Sequence, residues 1–496
     1  MADKSIRFLL NNTVRTLTDC NPNTSILQFL RAEEKRSGTK EGCCSGDCGA
    51  CTVVIAELVN GDLRYKSLNA CIGLMPSLHG KQLITVEDLK DGDRLHPVQQ
   101  AMVDHHGSQC GFCTPGFVMS LFALHKNFPN PDQHQTLEAL AGNLCRCTGY
   151  RAILDAAKAA ANHGPDQFDR NKAYTTATLQ AIHADSIREL TDGEHSAFAP
   201  NTVEELASLL QQHPQARLLA GGTDLALEIT QQLKQLETLI YVGNVEELQI
   251  FEETDQGFTI GAALPYSEFT PRLAAEYPDF GDMIERLGSL QIRNHGTLGG
   301  NIGNASPIGD TPPVLIALGA TITLRRGQQE RTIPAEDYFV DYKVTDQREH
   351  EFIRSVFIPK AKADHALKIY KISKRLDDDI SAVLGVFHIN VKDGVIETSD
   401  VAYGGMAAIP KRASNCEAAL KGQAWNTATI ENAMQALEND FSPLSDVRAS
   451  ADYRMQVAKN LLKKCYLELD QPQANSRVVN YFDGGFISQK GATSHA

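Results

Sequence analysis

The sequence lacks the features that would assign the protein to nucleic acid, to a membrane or to the secretory pathway. Its 496 residues carry a formal charge of −14, so the basic surface that phosphate binding requires is missing. The same charge disfavours anionic membrane surfaces, and no apolar run approaches the roughly 20 residues that span a bilayer. The first residues, Met1–Arg7, are charged where a secretory signal is apolar. We therefore expect a cytoplasmic protein with no nucleic-acid or membrane partner.

Cysteine is present, but its distribution is uneven. Ten of the twelve cysteines lie within the first 147 residues, and only Cys416 and Cys465 lie beyond. Disulfide frameworks belong to small secreted domains, whereas clustered cysteines in a large intracellular chain more often bind metal. Buried structural thiols account for isolated cysteines, but they do not explain three closely spaced groups. Metal binding is therefore the favoured interpretation of the first third of the chain.

The residue pattern changes several times along the chain, whose length suits three or four domains. Strand-like runs indicate a small α+β domain at the start, followed by a helical stretch in which Thr136 is a candidate N-cap. A polar stretch with weak periodicity predicts a linker, and α/β patterns follow it. The predicted boundaries are 1–85 and 86–163 for the two cysteine-rich domains, 164–192 for the linker, 193–366 and 367–470 for the later domains, and 471–496 for a poorly ordered tail.

The first cysteine group has the spacing C-x4-C-x2-C, with a fourth cysteine twenty residues later. This is the plant-type spacing for a [2Fe–2S] cluster, in which one loop supplies three thiolates and a distant position supplies the fourth. Structural zinc, the main alternative, usually shows paired C-x2-C or Cys/His spacing. The neighbouring Cys44 breaks the pattern and is interpreted as a bystander. The predicted ligands are Cys43, Cys48, Cys51 and Cys71.

The second group combines a C-x2-C pair with a C-x-C pair about thirty residues later. Each pair lies near the end of a predicted helix, so that two helical hairpins could present four thiolates to one centre. The spacing alone leaves zinc as a rival, and a single C-x2-C is also typical of a redox dithiol. The predicted ligands are Cys110, Cys113, Cys145 and Cys147.

Two glycine-rich segments follow in the α/β region. The first, Leu218–Leu225, runs from an apolar strand into Gly221-Gly222, whose backbone N–H groups could form an anion-binding nest. It is not a Gly-x-Gly-x-x-Gly fingerprint, and no clear helix of that type is predicted after it. The second, Thr297–Asp310, is rich in glycine, amide and hydroxyl groups, which lets a ligand approach the backbone closely.

These motifs, in this order, resemble the xanthine dehydrogenase and aldehyde oxidase family of molybdenum hydroxylases. Cys110–Gly116 and Cys145–Tyr150 carry the strongest likeness, and the glycine-rich segments resemble the FAD-binding domain of that family. The resemblance implies an α+β multidomain chain: a β-grasp [2Fe–2S] ferredoxin domain, a four-helix [2Fe–2S] domain, an α/β FAD-binding domain of the xanthine dehydrogenase and vanillyl-alcohol oxidase type, and a C-terminal α+β flavoprotein domain.

The resemblance also implies particular cofactor contacts. Gln109 matches a glutamine that hydrogen-bonds the pterin of the molybdenum cofactor, Asp378 lies near the flavin ring, and Leu287 replaces an aromatic residue beside the flavin. No residue for the hydroxylation itself is expected in this chain. The implied FAD contacts are Leu218, Leu219, Ala220, Gly221, Gly222, Thr223, Asp224, Leu225, Leu287, Thr297, Gly299, Gly300, Asn301, Asp310, Ile353 and Lys371.

The function that the resemblance implies is that of the electron-transfer subunit of a bacterial two-subunit xanthine dehydrogenase. Hypoxanthine or xanthine would be converted to urate at a molybdopterin centre on a partner, and electrons would pass through two [2Fe–2S] clusters to FAD and then to NAD+. An α2β2 assembly is the family-based expectation. The rivals are the equivalent subunit of an aldehyde or N-heterocycle hydroxylase, a stand-alone iron–sulfur flavoprotein reductase, and a zinc-binding scaffold.

Overall fold

A computed structural model describes residues 4–161, 163–182, 188–472 and 476–477 of the chain. The chain divides into two compact units. The first comprises Met1–Gln249, Ala263–Ser267 and Gly288–Thr297, and the second comprises Ile250–Ala262, Glu268–Leu287 and Leu298–Ala496. Most of the predicted tail, 471–496, lies outside the described residues. No helix among the described residues is long and apolar enough to cross a membrane.

The first unit begins with a five-stranded sheet of order β2-β1-β5-β3-β4, in which β1 and β5 are parallel and the other pairs antiparallel. At the β3–β4 hairpin both Asn60 and Gly61 have positive φ, as a two-residue type I′ turn requires. This is the predicted β-grasp arrangement. The bounds are β1 Ile6–Leu10, β2 Thr13–Leu17, β3 Thr52–Val59, β4 Asp62–Asn69 and β5 Gln82–Ile84, with helix α1 Ile26–Gln28 continuing as a π-helical turn, Phe29–Glu33.

Four helices follow, as predicted, and share one apolar core with a face of the first sheet, in which Phe117 and Phe122 are buried. Thr136 does not cap the third of them. Asp132 does, because its carboxylate accepts the Gln135 N–H while the Gln135 side chain accepts the Asp132 N–H. The helices are α2 Pro97–Asp104, α3 Thr114–Asn127, α4 Gln133–Leu140 and α5 Arg151–Ala159.

The predicted linker, 164–192, is largely ordered secondary structure. It forms α6 Gln167–Arg170, α7 Lys172–Ile182 and strand β6 Arg188–Thr191. Phe168 and Leu179 are buried in the core of the helical domain, so tertiary packing stabilises helices that local periodicity did not indicate.

Asp166 anchors this segment and also lies near His96 and His163. One candidate metal-ligand atom from each of the three side chains lies within 4.8 Å of the other two. The Val98 N–H donates to His96 Nδ1, so the other ring nitrogen carries a proton and donates to Asp166 at 3.1 Å. Asp166 also accepts from the Lys126 ammonium. With one nitrogen protonated and a cation already bound to the carboxylate, this group is a buried structural cluster.

The remainder of the first unit is built on a four-stranded sheet of order β6-β7-β9-β8, in which β7, β9 and β8 are parallel. Helical crossovers join these parallel strands, as parallel pairing demands. The glycine turn after β8 is followed directly by a short helix, which the sequence pattern did not predict. The bounds are β7 Ser196–Ala199, α8 Val203–Gln212, β8 Arg217–Leu219, α9 Leu225–Thr230 and β9 Thr238–Tyr241.

The second unit contains a five-stranded antiparallel sheet of order β10-β11-β16-β12-β13 and a separate two-stranded hairpin, β14–β15. The strands are β10 Phe251–Glu253, β11 Gly257–Gly261, β12 Thr321–Arg326, β13 Gln329–Pro334, β14 Phe339–Asp341, β15 Val344–Thr345 and β16 Phe352–Pro359. The helices along this stretch are α10 Tyr266–Glu276, α11 Pro278–Glu285, α12 Leu290–Arg293, α13 Leu298–Gly303 and α14 Thr311–Ala317, of which α12 belongs to the first unit.

A four-stranded antiparallel sheet of order β17-β18-β19-β20 ends the second unit, and its apolar face packs on long helices. Strands followed by helices agree with the α+β domain expected in this part of the chain. The bounds are β17 Ala366–Ile372, β18 Val383–Lys392, β19 Val395–Gly404, β20 Lys411–Arg412, α15 Ser414–Leu420, α16 Thr427–Asp440 and α17 Ala451–Asp470.

Candidate cofactor sites

The four cysteines of the first group converge, although Cys71 is distant in sequence. Three of them lie on the loop before β3, and Cys71 follows β4. The thiols of Cys48 and Cys71 both hydrogen-bond to the sulfur of Cys43 and hold its pKa well below the usual range. The Cys71 thiol also lies beside Cys51, and its hydrogen bonds to Cys43 and Cys51 raise its pKa. Four converging thiols fit the ligand set of a [2Fe–2S] cluster.

Backbone N–H groups surround the sulfur of Cys43. Those of Ser45, Asp47 and Cys48 donate to it at 3.5, 3.4 and 3.4 Å. Such bonds stabilise negative charge on a ligand sulfur, which is how a surrounding shell tunes an iron–sulfur centre. The Cys44 thiol instead donates to Glu41 Oε1 at 2.6 Å, and burial together with Glu41 raises its pKa to about 12.

The cysteines of the second group form two adjacent pairs. Cys113, at the start of α3, lies beside Cys145, while Cys147 hydrogen-bonds Cys110. Burial, reinforced by Cys145, raises the pKa of Cys113 to about 12. Burial also disfavours the Cys145 thiolate, but hydrogen bonds, first from the Thr148 hydroxyl, outweigh it and lower the Cys145 pKa to about 7. Hydrogen bonds therefore favour the thiolate form of one sulfur of this set.

The surroundings of the second group are open and apolar. Cys110 and Cys147 are exposed, whereas Cys51 and Cys71 of the first group are buried. Phe112, Leu144 and Tyr150 are 48%, 45% and 39% exposed. Gln109, the predicted pterin contact, is also at the surface. An exposed apolar surface of this kind around predicted cluster ligands is typical of an interaction site.

The loop that carries Cys43 and Cys48 touches two other functional segments of the first unit. The Leu144 N–H, next to Cys145, donates to the Cys48 carbonyl at 3.0 Å. At the end of α9, the Thr230 hydroxyl donates to the Cys44 carbonyl at 2.8 Å, and the Gln231 amide donates to the same oxygen at 3.0 Å. The first cysteine loop therefore contacts both the second one and the helix that follows the Gly221-Gly222 turn.

Nine of the predicted FAD contacts, Leu218–Leu225 and Thr297, lie in the first unit. The turn between β8 and α9 passes close to the backbone of His295, and a methyl group at Gly221 would come within 2.0 Å of the His295 carbonyl oxygen. Gly222 has a φ of +71°, which favours glycine. The backbone thus forms a narrow turn with N–H groups free of side-chain cover, which suits a diphosphate.

We expect Gly221→Ala to destabilise this turn by about 1–3 kcal/mol and to lower FAD content, since the added methyl group meets backbone rather than a movable side chain. The matched control is Gly281→Ala, which lies outside both glycine-rich segments; its methyl group would also clash, at 2.3 Å from the Ala274 methyl carbon, so this variant should lose stability but keep its FAD. Flavin absorbance per chain and thermal unfolding measure both effects. Equal FAD content in the two variants would contradict the prediction.

The other predicted FAD contacts, Leu287, Gly299, Gly300, Asn301, Asp310, Ile353 and Lys371, lie in the second unit. Gly299 packs on Ala262, the residue after β11, where a methyl group would lie 2.5 Å from the Ala262 carbonyl oxygen, while Gly300 is exposed. Asn301 Oδ1 accepts the Thr311 hydroxyl at 2.6 Å. The start of α13 is therefore rigidly held and exposes glycine backbone.

Asp310 and Lys371 form a buried ion pair, with side chains 8% and 2% exposed and a separation of 2.6 Å. The hydroxyl of Ser381 joins both, at 2.5 Å from Asp310 and 2.9 Å from Lys371. Arg286 donates to the backbone carbonyls of Lys371 and Leu376 and so holds the segment that leads to Asp378. Asp378 has a positive φ of 50°.

Sequence reasoning missed three residues that organise these sites: Arg286, Ser381 and Gln291. Arg286 and Gln291 both precede the second glycine-rich segment, but a single arginine or glutamine outside a motif carries no local signal. Their partners are distant in sequence, so only the folded chain reveals them. The assignment of individual cofactor contacts stays a prediction.

Comparison with known proteins gives the same domain order. Family models match a 2Fe-2S iron-sulfur cluster binding domain at 10–74 and a [2Fe-2S] binding domain at 85–158. They also match the FAD binding domain in molybdopterin dehydrogenase at 193–361 and the CO dehydrogenase flavoprotein C-terminal domain at 368–469. The fold class predicted from the sequence is confirmed.

Relatives are found among both sequences and solved structures. The chain is 33% identical to xanthine dehydrogenase of Emericella nidulans over 96% of its own length and 39% of that protein. It is 29% identical to aldehyde oxidase 2 of Rattus norvegicus, and this match covers 96% of the present chain and 40% of that protein. A chain of carbon monoxide dehydrogenase from Hydrogenophaga pseudoflava aligns with a TM-score of 0.52 at 28% identity, covering 54% of this chain and 94% of that one.

The chain spans about two fifths of the length of the curated relatives it matches. Within that portion the matches run along nearly all of the present sequence, domain after domain. The chain therefore belongs to the xanthine dehydrogenase and aldehyde oxidase family of molybdenum hydroxylases, of which it carries the iron–sulfur and FAD-binding domains.

Proposed function

We propose that this chain is the electron-transfer subunit of a cytoplasmic two-subunit xanthine dehydrogenase. A partner subunit, in an α2β2 assembly, would hold the molybdopterin and convert hypoxanthine or xanthine to urate, and this chain would pass the electrons to NAD+. The domain boundaries predicted from the sequence belong to the proposal, with 164–192 now a helical connection. Cys110, Cys113, Cys145 and Cys147 would hold one cluster, and Cys43, Cys48, Cys51 and Cys71 the other.

The order of contacts in the first unit is the observation that carries this proposal. The second cysteine loop, with exposed thiols, hydrogen-bonds the first, and the first hydrogen-bonds the end of α9 beyond the predicted diphosphate turn. This arrangement supports a linear relay from an external donor to a flavin. When bound, the clusters supply one-electron transfer and FAD couples single electrons to hydride transfer.

The chain's own residues position and shield these cofactors. Backbone N–H groups donate to the Cys43 sulfur, and the Thr148 hydroxyl donates to that of Cys145. We call the site of the Cys43 group the inner cluster site and that of the Cys110 group the outer one. Burial of Cys51 and Cys71 excludes water from the inner site. Cys110 and Cys147 are exposed, so the outer site is open towards a partner, next to Gln109.

Two rival functions use the same features differently. In an aldehyde or N-heterocycle hydroxylase this chain would be unchanged and only the partner's substrate pocket would differ. A stand-alone flavoprotein reductase would need no partner, but it would leave the apolar surface at Phe112, Leu144 and Tyr150 without a function. That surface favours the subunit proposal.

The proposal is tested by purifying the tagged chain from its native host and measuring its cofactors and partners. About four irons, four sulfides and one FAD per chain are expected from the ligand sets. A co-purifying molybdopterin protein and xanthine-dependent NADH formation would support the proposal. A partner-free chain with full NADH-dependent reductase turnover would exclude it, and activity confined to aldehydes would select the rival hydroxylase.

We expect Phe112→Ser to weaken partner binding by about 1–3 kcal/mol, because an exposed aromatic residue beside the outer thiols is a typical interface anchor. The matched control is Phe128→Ser. Phe128 is 45% exposed, close to the 48% of Phe112, but lies at the opposite end of α3, roughly 20 Å away along the helix. Co-purification of the partner, at unchanged iron content, measures the difference. Equal recovery with both variants would place the partner elsewhere.

A further inference from the structure

Four polar side chains meet inside the first unit, between the two cysteine loops and α12. They come from β3, α3, the loop before Cys145, and α12, and so from all three domains of this unit. All are almost fully buried: Thr52, Ser120, Asn143 and Gln291 are 1%, 1%, 3% and 1% exposed. Polar groups that are buried this deeply cost free energy unless they are satisfied by partners.

Their hydrogen bonds form one network centred on two amides. Asn143 Oδ1 accepts from the Ser120 hydroxyl at 2.7 Å and from Gln291 Nε2 at 3.1 Å. Asn143 Nδ2 donates to the Gly49 carbonyl at 3.1 Å. Gln291 Nε2 also lies 3.3 Å from the Thr52 hydroxyl, which itself donates to the Gly49 carbonyl at 2.7 Å.

The network ends on the backbone of both ligand loops. Gly49 lies between Cys48 and Cys51, and Asn143 is two residues before Cys145. Between them, the Leu144 N–H donates to the Cys48 carbonyl at 3.0 Å. This hydrogen bond joins the residue next to one predicted ligand directly to a ligand of the other group.

Glycines allow the backbones to approach this closely. A methyl group at Gly49 would lie 2.2 Å from the Gly142 carbonyl oxygen, and one at Gly116 would lie 2.2 Å from the Gly49 carbonyl oxygen. A methyl group at Gly142 would lie 2.4 Å from Gln291 Oε1. The three glycines leave no space for side chains between the loops, so the buried amides and the Leu144–Cys48 hydrogen bond hold the two backbones at close separation.

The two polar atoms of the Gln291 side-chain amide differ in their hydrogen bonding. Its Nε2 lies within 3.3 Å of three oxygen atoms, whereas its buried Oε1 has no hydrogen-bond partner. An unpaired buried carbonyl costs about 1–3 kcal/mol, so an apolar residue here would avoid that cost. Residue 291 is nevertheless a glutamine, whose Nε2 donates to Asn143. Fold stability alone does not account for a glutamine at this position.

We infer that Asn143 and Gln291 are positioning residues for electron transfer between the two clusters, with the Leu144–Cys48 hydrogen bond as the connection between them. The step moves one electron, oxidising the outer cluster and reducing the inner one, and breaks no bond. The inference rests on the proposed function, since it requires that both cysteine groups hold clusters.

The test uses the full chain with both clusters and compares Gln291→Leu with the unmodified protein. Each is mixed with about one electron equivalent of dithionite and freeze-quenched, and electron paramagnetic resonance follows the redistribution of the electron between the two cluster signals. Iron and sulfide content should be unchanged. The redistribution should slow several-fold, because loss of the Gln291–Asn143 hydrogen bond lets the two cysteine loops move apart and electron tunnelling falls steeply with distance, and the spin–spin coupling of the fully reduced clusters should change.

Asn294→Leu is the matched control. Asn294 directly follows the same short helix, is also buried, and donates to the Ser67 carbonyl at 2.9 Å without touching either cysteine loop. It should leave the redistribution rate and the spin coupling unchanged. If Gln291→Leu matches the unmodified protein, or if both variants slow transfer equally, the positioning role is overturned.

Thr52→Val keeps the test decisive if Gln291→Leu fails to assemble clusters. It removes the hydroxyl that lies between Gln291 and the Gly49 carbonyl while preserving side-chain shape. A several-fold slowing with both clusters present supports the inference, and an unchanged rate overturns it. Absence of clusters from the unmodified chain would instead refute the proposed function, so the two failures are distinguishable.

Discussion

Replacing Cys113 with serine is expected to abolish the outer cluster and with it all transfer from the hydroxylation substrate to NAD+. Iron content should fall from about four to about two atoms per chain, since one of two four-thiolate sites is lost. Transfer from NADH to an artificial dye through FAD should persist, because the Cys113 thiol interacts with Cys145 and Cys110 of its own group, while the Cys43 group has four thiols of its own. Iron analysis, cluster spectra and the two assays measure these effects.

Cys44→Ser provides the matched control for the cysteine substitution. The Cys44 thiol bonds Glu41 rather than the converging sulfurs, and a serine hydroxyl can make the same bond. This variant should retain both clusters and both activities. Loss of a cluster in Cys44→Ser, or retention of both in Cys113→Ser, would contradict the assigned ligand sets. Loss of NADH-to-dye transfer in Cys113→Ser would contradict the order of the relay.

Lys371→Met should cost about 3–5 kcal/mol of stability and most of the bound FAD. The substitution leaves the Asp310 carboxylate buried without its cation, and an unpaired buried charge is strongly destabilising. Chemical denaturation measures the first effect, and flavin content after gel filtration measures the second.

The double variant Lys371→Met/Asp310→Leu separates the two roles of this ion pair. Removing both charges should recover most of the stability, because a buried pair replaced by apolar side chains is often neutral. If Lys371 and Asp310 contact FAD, the double variant should be stable but still poor in FAD. A stable double variant with full FAD content would show that the pair is structural only.

Local patterns predicted the elements of this chain well where chemistry or periodicity is confined to a short segment. Strand-like runs at the start of the chain predicted the small α+β domain, and the apolar run before Gly221-Gly222 predicted β8. The predictions failed where packing decides. Thr136 had a suitable hydroxyl, but Asp132 lies where the helix begins. The supposed linker is helical because Phe168 and Leu179 find an apolar core.

The sequence by itself determined the cofactor classes and the order of the domains, and it predicted the two sets of thiols. The spacing of the Cys43 group is local, and cluster chemistry limits its residue types, whereas the second group and the FAD domain were predicted through their resemblance to a known family. Only the tertiary structure decided how the sites connect. Gln291 lies 148 residues from Asn143 and 239 from Thr52, and no periodicity links residues that far apart. Their hydrogen bonds exist because three domains bring the polar groups into one dry interior, where each requires a partner.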